Sequence, residues 1–119
     1  MLEILPESEA NILGVKATGK LTNREFQEVL VPRLKALIQE HGRVRVLFYL
    51  DEDVRGWDLE ALQQDGFGMQ DLQAFQRLAV VGASWQVSLQ MKFVALLISG
   101  EVRNFSRAEL SEAWTWIRG

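Results

Sequence analysis

The chain has no cysteine, which removes a disulfide framework, a thiol nucleophile and any thiolate-held metal, and suits a reducing compartment. It has a single histidine. His41 stands just before Gly42 with no nucleophile partner in its pattern, so it reads as a helix C-terminal residue interacting with the dipole and not as a catalytic base. No run approaches the roughly 18 consecutive apolar residues of a spanning helix. Met1-Leu2-Glu3-Ile4 also lacks the basic segment and apolar core that open an export signal, so the expectation is a soluble, cytoplasmic protein. The 13 Lys and Arg are scattered among 16 Asp and Glu for a net charge of −3, leaving no basic stripe for a phosphate backbone; nucleic acid binding is not expected. Finally, no serine or threonine lies between Asn23 and Ser84.

That last absence covers an informative place. Val44 to Leu50 is an apolar strand running into the acidic loop Asp51-Glu52-Asp53-Val54-Arg55-Gly56-Trp57. Loops at the carboxyl ends of buried strands are where open α/β proteins usually hold their ligands. This loop has no serine or threonine hydroxyl to be phosphorylated or to act as a nucleophile.

At 119 residues, 48% hydrophobic and 24% charged, the chain is expected to form one globular domain over 1–119. Leu2 to Leu5 and Ile12 to Ala17 read as an antiparallel hairpin. Thr22 then caps a helix, with Glu25 three residues on completing a capping box and Leu21 stapling onto Phe26. Phe26, Val29, Leu30, Leu34, Leu37 and Ile38 keep helical spacing up to the stop at Gly42. Pro32 predicts a kink or break near Val31.

After the strand Val44 to Leu50, a helical stretch is expected from Asp58 to about Phe75, then a wholly apolar central strand from Leu78 to Gly82. Ser84 caps the next helix. From Trp85 its apolar residues fall into two clusters, Trp85, Leu89, Phe93 and Leu96 on one side and Val87, Met91, Val94 and Ile98 on the other. A helix apolar on two sides must be covered twice. Lys92 to Ser99 is open between helix and strand, because Ser99-Gly100 also fits a hairpin turn. Val102 to Phe105 is a short peripheral strand. Ser106 and Glu109 repeat the capping box, Phe105 staples onto Leu110, and Leu110, Ala113, Trp114 and Ile117 form a buried stripe. The expectation is an α/β fold, a mixed sheet of about five strands with an initial antiparallel hairpin, flanked by about four helices.

In order and spacing, the blocks Leu21-Thr22, Pro32-Arg33-Leu34, Glu40-His41-Gly42, Gly56-Trp57-Asp58, Arg77-Leu78-Ala79-Val80-Val81-Gly82 with Trp85, Glu101-Val102-Arg103-Asn104-Phe105 and Glu112-Ala113-Trp114-Thr115-Trp116-Ile117 resemble the small bacterial SpoIIAA-like proteins, which are STAS-related. The resemblance covers almost the whole chain, and none of the blocks is a catalytic signature. Ala83 departs from the pattern, since an acidic residue often follows the strand glycine in that family. The resemblance implies a mixed sheet wrapped by helices, shared with anti-sigma-factor antagonists and, more distantly, with CRAL-TRIO lipid carriers. Those antagonists switch by phosphorylation of a serine at the start of the helix after the third strand. Carried onto this chain, that position falls within Asp53 to Trp57, where no hydroxyl exists.

Each candidate site also has a plain packing explanation. The acids around Asp51 do not match a calcium loop, and a solvated helix start capped by Asp58 explains them better, so no metal is assigned. Gly82 alone makes neither a dinucleotide fingerprint nor a P-loop, and no cofactor is expected. Leu59, Leu62, Met69 and Leu72 share one helical face with Gly66, while Phe67 points away from it. Gly66 and Gly68 each weaken a helix by roughly 1 kcal/mol relative to alanine, which marks either a break or a movable lid tipped by Phe67 and begun by Trp57. Together with Trp85, such a lid would cover an apolar pocket lined by Met69, Leu72, Phe93 and Leu97; the competing reading is ordinary core. Asp53, Trp57, Phe67 and Trp116 are the candidates for a partner or membrane surface. The sequence therefore predicts a non-catalytic binding protein for a lipid or other small hydrophobic ligand, with at most peripheral membrane contact. The alternative is a STAS-like interaction module that pairs with a protein partner or with itself. Ligand, partner, oligomeric state and pathway are not written in the sequence.

Overall fold

The hairpin forms as expected: β1 (Leu2–Ile4) runs antiparallel to β2 (Ile12–Ala17), with Leu2 opposite Ala17 and Ile4 opposite Val15. Its turn is closed by Ser8, whose Oγ donates to the Leu5 carbonyl at 2.7 Å and accepts from Gly14 N–H at 2.9 Å. The structure, a computed structural model, describes residues 1–19, 22–54 and 69–119. From β2 the sheet continues in parallel through β3 (Val44–Leu50), β4 (Phe75–Val81) and β5 (Glu101–Phe105), in spatial order β1-β2-β3-β4-β5.

This order dictates the layering. Crossovers between parallel strands are almost always right-handed, so three successive ones moving the same way across a sheet place their helices on the same face. These helices are α1 (Val31–His41), α2 (Met69–Gln73) and α3 (Trp85–Leu97). They cover a core that includes Val15, Leu34, Val46, Phe48, Leu78, Val80, Val87 and Met91. The other face is covered by α4 (Leu110–Arg118), which seats Ala113, Trp114 and Ile117 on Leu47, Ala79 and Val81. Alternate residues of β3 and β4 thus serve two cores, which is why both strands read as nearly continuous apolar runs.

Pro32 acts through an unexpected device. A helical turn at Asn23–Glu25, where Glu25 N–H donates to Thr22 Oγ1 at 3.2 Å, leads into a π-helical stretch, Phe26–Leu30. Val31 N–H there reaches back five residues to the Phe26 carbonyl. The extra residue in that turn accommodates the proline ring at the start of α1 without a clash against the carbonyl four residues earlier. Gly42 ends α1 in the left-handed region at φ 77°, with its N–H on the Ile38 carbonyl at 2.7 Å.

One expected boundary needs correction. The helix read as reaching Phe75 ends at Gln73, and β4 begins at Phe75, three residues before the expected Leu78. Phe75 is buried in the main core and paired with Val44, whose N–H also donates to the Ala74 carbonyl at 2.9 Å. The open segment resolves as helix: α3 continues to Leu97, and Ser84 Oγ accepts from Val87 N–H at 3.3 Å at its start.

Candidate functional site

The carboxyl ends of the parallel strands are the first place to look, and they are already occupied by the chain itself. Asp51 N–H donates to the Ala17 carbonyl at 3.0 Å and Val54 N–H to the Asp51 carbonyl at 3.1 Å, folding the start of the acidic loop into a turn that buries Val54. Asp53 accepts from Gly19 N–H at 2.9 Å, and Asp51 Oδ1 from Glu52 N–H at 2.8 Å. Two of the acids therefore accept backbone N–H groups, Asp53 tying the loop to the chain beyond β2 and Asp51 bonding its own neighbour. Among the described residues, no three His, Asp or Glu side chains are grouped so as to hold a metal ion.

Arg107 fills the crevice beyond β3 and β4. Its Nε donates to the Leu50 carbonyl at 2.9 Å and its Nη2 to the Gly82 carbonyl at 3.3 Å. Gly82 sits at φ +81°, and a Cβ there would lie 2.7 Å from the Leu50 oxygen and 2.9 Å from Arg107 Nε. The glycine after the apolar strand is thus required by the close approach of Arg107 and Leu50. Arg107 was not singled out from the sequence. The available signal was its position just after the N-cap Ser106, where a cation opposes the helix dipole and has no local reason to stand.

The outer surface of α3 is different. Val87, Met91 and Ile98 are buried against the sheet. At about 100° per residue, Trp85, Leu89, Phe93 and Leu96 fall on the opposite side. They are exposed at 72%, 54%, 58% and 82%, respectively. An isolated exposed Leu needs no explanation, but four large apolar side chains in one stripe make a patch of the size that marks interaction sites. Lys92 is the one charged residue in the helix, and it flanks the stripe.

The expected pocket residues separate on this framework. Leu72 packs against the main core, Phe93 is exposed and Leu97 is half-buried. Trp57, Leu62, Gly66, Phe67 and Gly68 lie outside the described residues, as does the side chain of Met69. Trp116 is half-buried, tilted at 52° to Phe105 with centroids 6.0 Å apart. The guanidinium groups of Arg77 and Arg103 lie 5.1 Å and 6.0 Å from its ring. Arg103, Phe105, Glu112, Thr115 and Trp116 line an open groove of about 370 Å³ there.

The arginines below that groove are structural. Arg45 Nη1 donates to the Ile117 carbonyl at 2.9 Å, and Arg77 Nη1 donates to the Trp116 carbonyl. Both satisfy carbonyls at the C-terminus of α4 and complement its dipole. Burial, with the neighbouring Arg77 and Arg43 charges, pushes the Arg45 pKa down. Among the described residues, no helix is long and apolar enough to cross a membrane.

A family model described as SpoIIAA-like matches residues 12–118. No match was found among curated proteins or among solved structures.

Proposed function

The chain belongs to the SpoIIAA-like family, and we propose that this protein is a non-catalytic interaction module that binds through the apolar back of α3. The observation that carries the reading is the stripe Trp85-Leu89-Phe93-Leu96, exposed at 54–82% on a helix whose other side is in the core. The strand-end crevice supports it from the other direction. That crevice is filled by Arg107, and the loop where the resemblance to anti-sigma-factor antagonists places a phosphorylatable serine has none in this chain. Partner choice then rests on an apolar surface, without a serine or threonine phosphorylation switch at that loop.

The experiment is retrieval of a stoichiometric partner from lysate by tagged protein, compared with the variants Phe93→Gln and Leu96→Gln. The reading expects a partner retained by the wild type and lost with either variant. Equal retention by all three would refute it.

A second reading makes the same stripe one wall of a site for a lipid or other small hydrophobic molecule, as in the CRAL-TRIO carriers. Its support is the adjoining pair Phe93 and Leu97, one exposed and one half-buried. Native mass spectrometry followed by organic extraction tests it. Protein that carries no extractable mass and gives no tryptophan fluorescence change with fatty acids or phospholipids would rule it out.

A further inference from the structure

The stripe on α3 has an internal symmetry that points to its occupant. Trp85 and Leu96 are its ends, and Leu89 and Phe93 its inner pair. The midpoints of the two pairs fall near Met91 and agree to within roughly 1 Å of helix rise. Read in either direction, the helix offers the same arrangement of large apolar side chains. Such a stripe sets apolar positions opposite one another in an antiparallel copy of itself, the register that a two-fold interface uses.

We propose that the back of α3 is a homodimer interface, with two copies of the helix packed antiparallel about a two-fold axis near Met91. The proposal rests on the reading of α3 as the interaction surface and names its partner. Trp85 then meets Leu96 of the partner subunit, and Leu89 meets Phe93 of the partner subunit. Two large aromatics and two leucines at these exposures present on the order of 500 Å² per copy, or roughly 1,000 Å² in total, the lower bound for a specific interface. Charge favours a second copy over a lipid surface, because anionic headgroups are held mainly by Lys and Arg, and α3 carries only Lys92. A patch of this modest size fits a weak dimer that dilution returns to monomer.

The absence of cysteine makes the geometry directly testable. Trp85→Cys and Leu96→Cys are prepared separately, then mixed and oxidised, leaving Leu89 and Phe93 intact. The proposal expects the mixed disulfide dimer to dominate over either self-linked product, since two copies of one end residue lie about 17 Å apart in the antiparallel pair. Sedimentation equilibrium of the uncross-linked wild type should show a concentration-dependent dimer. Leu89→Glu, with an unchanged circular dichroism spectrum, should weaken it by roughly 30-fold or more, the scale of an interface hot spot. A wild type that stays monomeric at every concentration overturns the proposal, as does preferential self-linking at Trp85→Cys. A monomer that still retains a partner dependent on Phe93 removes only the second copy as occupant, whereas a monomer that retains none removes the proposed function with it.

Discussion

Replacing Arg107 with alanine removes the side chain that closes the strand-end crevice. Two hydrogen bonds from one cation are lost, at 2.9 Å to the Leu50 carbonyl and 3.3 Å to the Gly82 carbonyl. Bonds to charged groups contribute about 1.5–3 kcal/mol, and the longer of these is the weaker, so the pair together contributes about 2–3 kcal/mol. With an unfolding entropy near 2 cal/mol/K per residue, a chain of this length loses about 4 °C of Tm per kcal/mol. Arg107→Ala should therefore melt about 10 °C below wild type by far-UV circular dichroism. Arg107→Lys, which keeps a cation but reaches one carbonyl at a time, should recover about half of that. Inorganic phosphate should leave the wild-type Tm unchanged, because the guanidinium is already engaged by backbone oxygens. An Arg107→Ala protein melting within about 2 °C of wild type, or a wild type stabilised by phosphate, would refute the structural role and reopen the crevice as an anion site.

Gly14→Ala should destabilise by about 1–3 kcal/mol, because its Cβ would lie 2.5 Å from Trp114 Cη2; chemical denaturation gives the loss, and altered tryptophan emission should accompany it. The two sides of α3 should respond oppositely: Leu96→Gln, at 82% exposure, should stay within about 0.5 kcal/mol of wild type. Met91→Gln, at 2% exposure, should lose about 2–4 kcal/mol through a buried, unsatisfied amide. Hydrogen bonds from the Ser106 backbone and side chain hold the Glu109 carboxyl below the usual carboxylate range. Its contribution is therefore fully present above the unfolded pKa and lost as pH falls through the lower folded value. Ser106→Ala should move the Glu109 titration, followed by carboxyl NMR, back up toward the usual range.

Local chemistry made most of the fold legible. Both capping signals, Thr22 with Glu25 and Ser106 with Glu109, sit within one helical turn, and Glu25 N–H and Ser106 N–H are bonded as that spacing requires. The two-sided pattern of α3 was readable from its period, but which side meets the sheet depends on β4 and β5. Phe75 was placed in a helix because its own neighbours favour one; its strand state comes from Val44, far away in the chain. Arg107 was invisible for the same reason, its acceptors lying 57 and 25 residues earlier. At Trp116, the stacking arginines come from β4 and β5, so helical spacing alone could not show that the ring is half-covered.

The most direct test of the account is amide hydrogen exchange of the protein alone and with its bound partner, whether a second copy or another protein. The account expects new protection centred on residues 85–96 of α3, with the turn at 51–54 unchanged. Protection gained at the turn while α3 exchanges as in the free protein would contradict it.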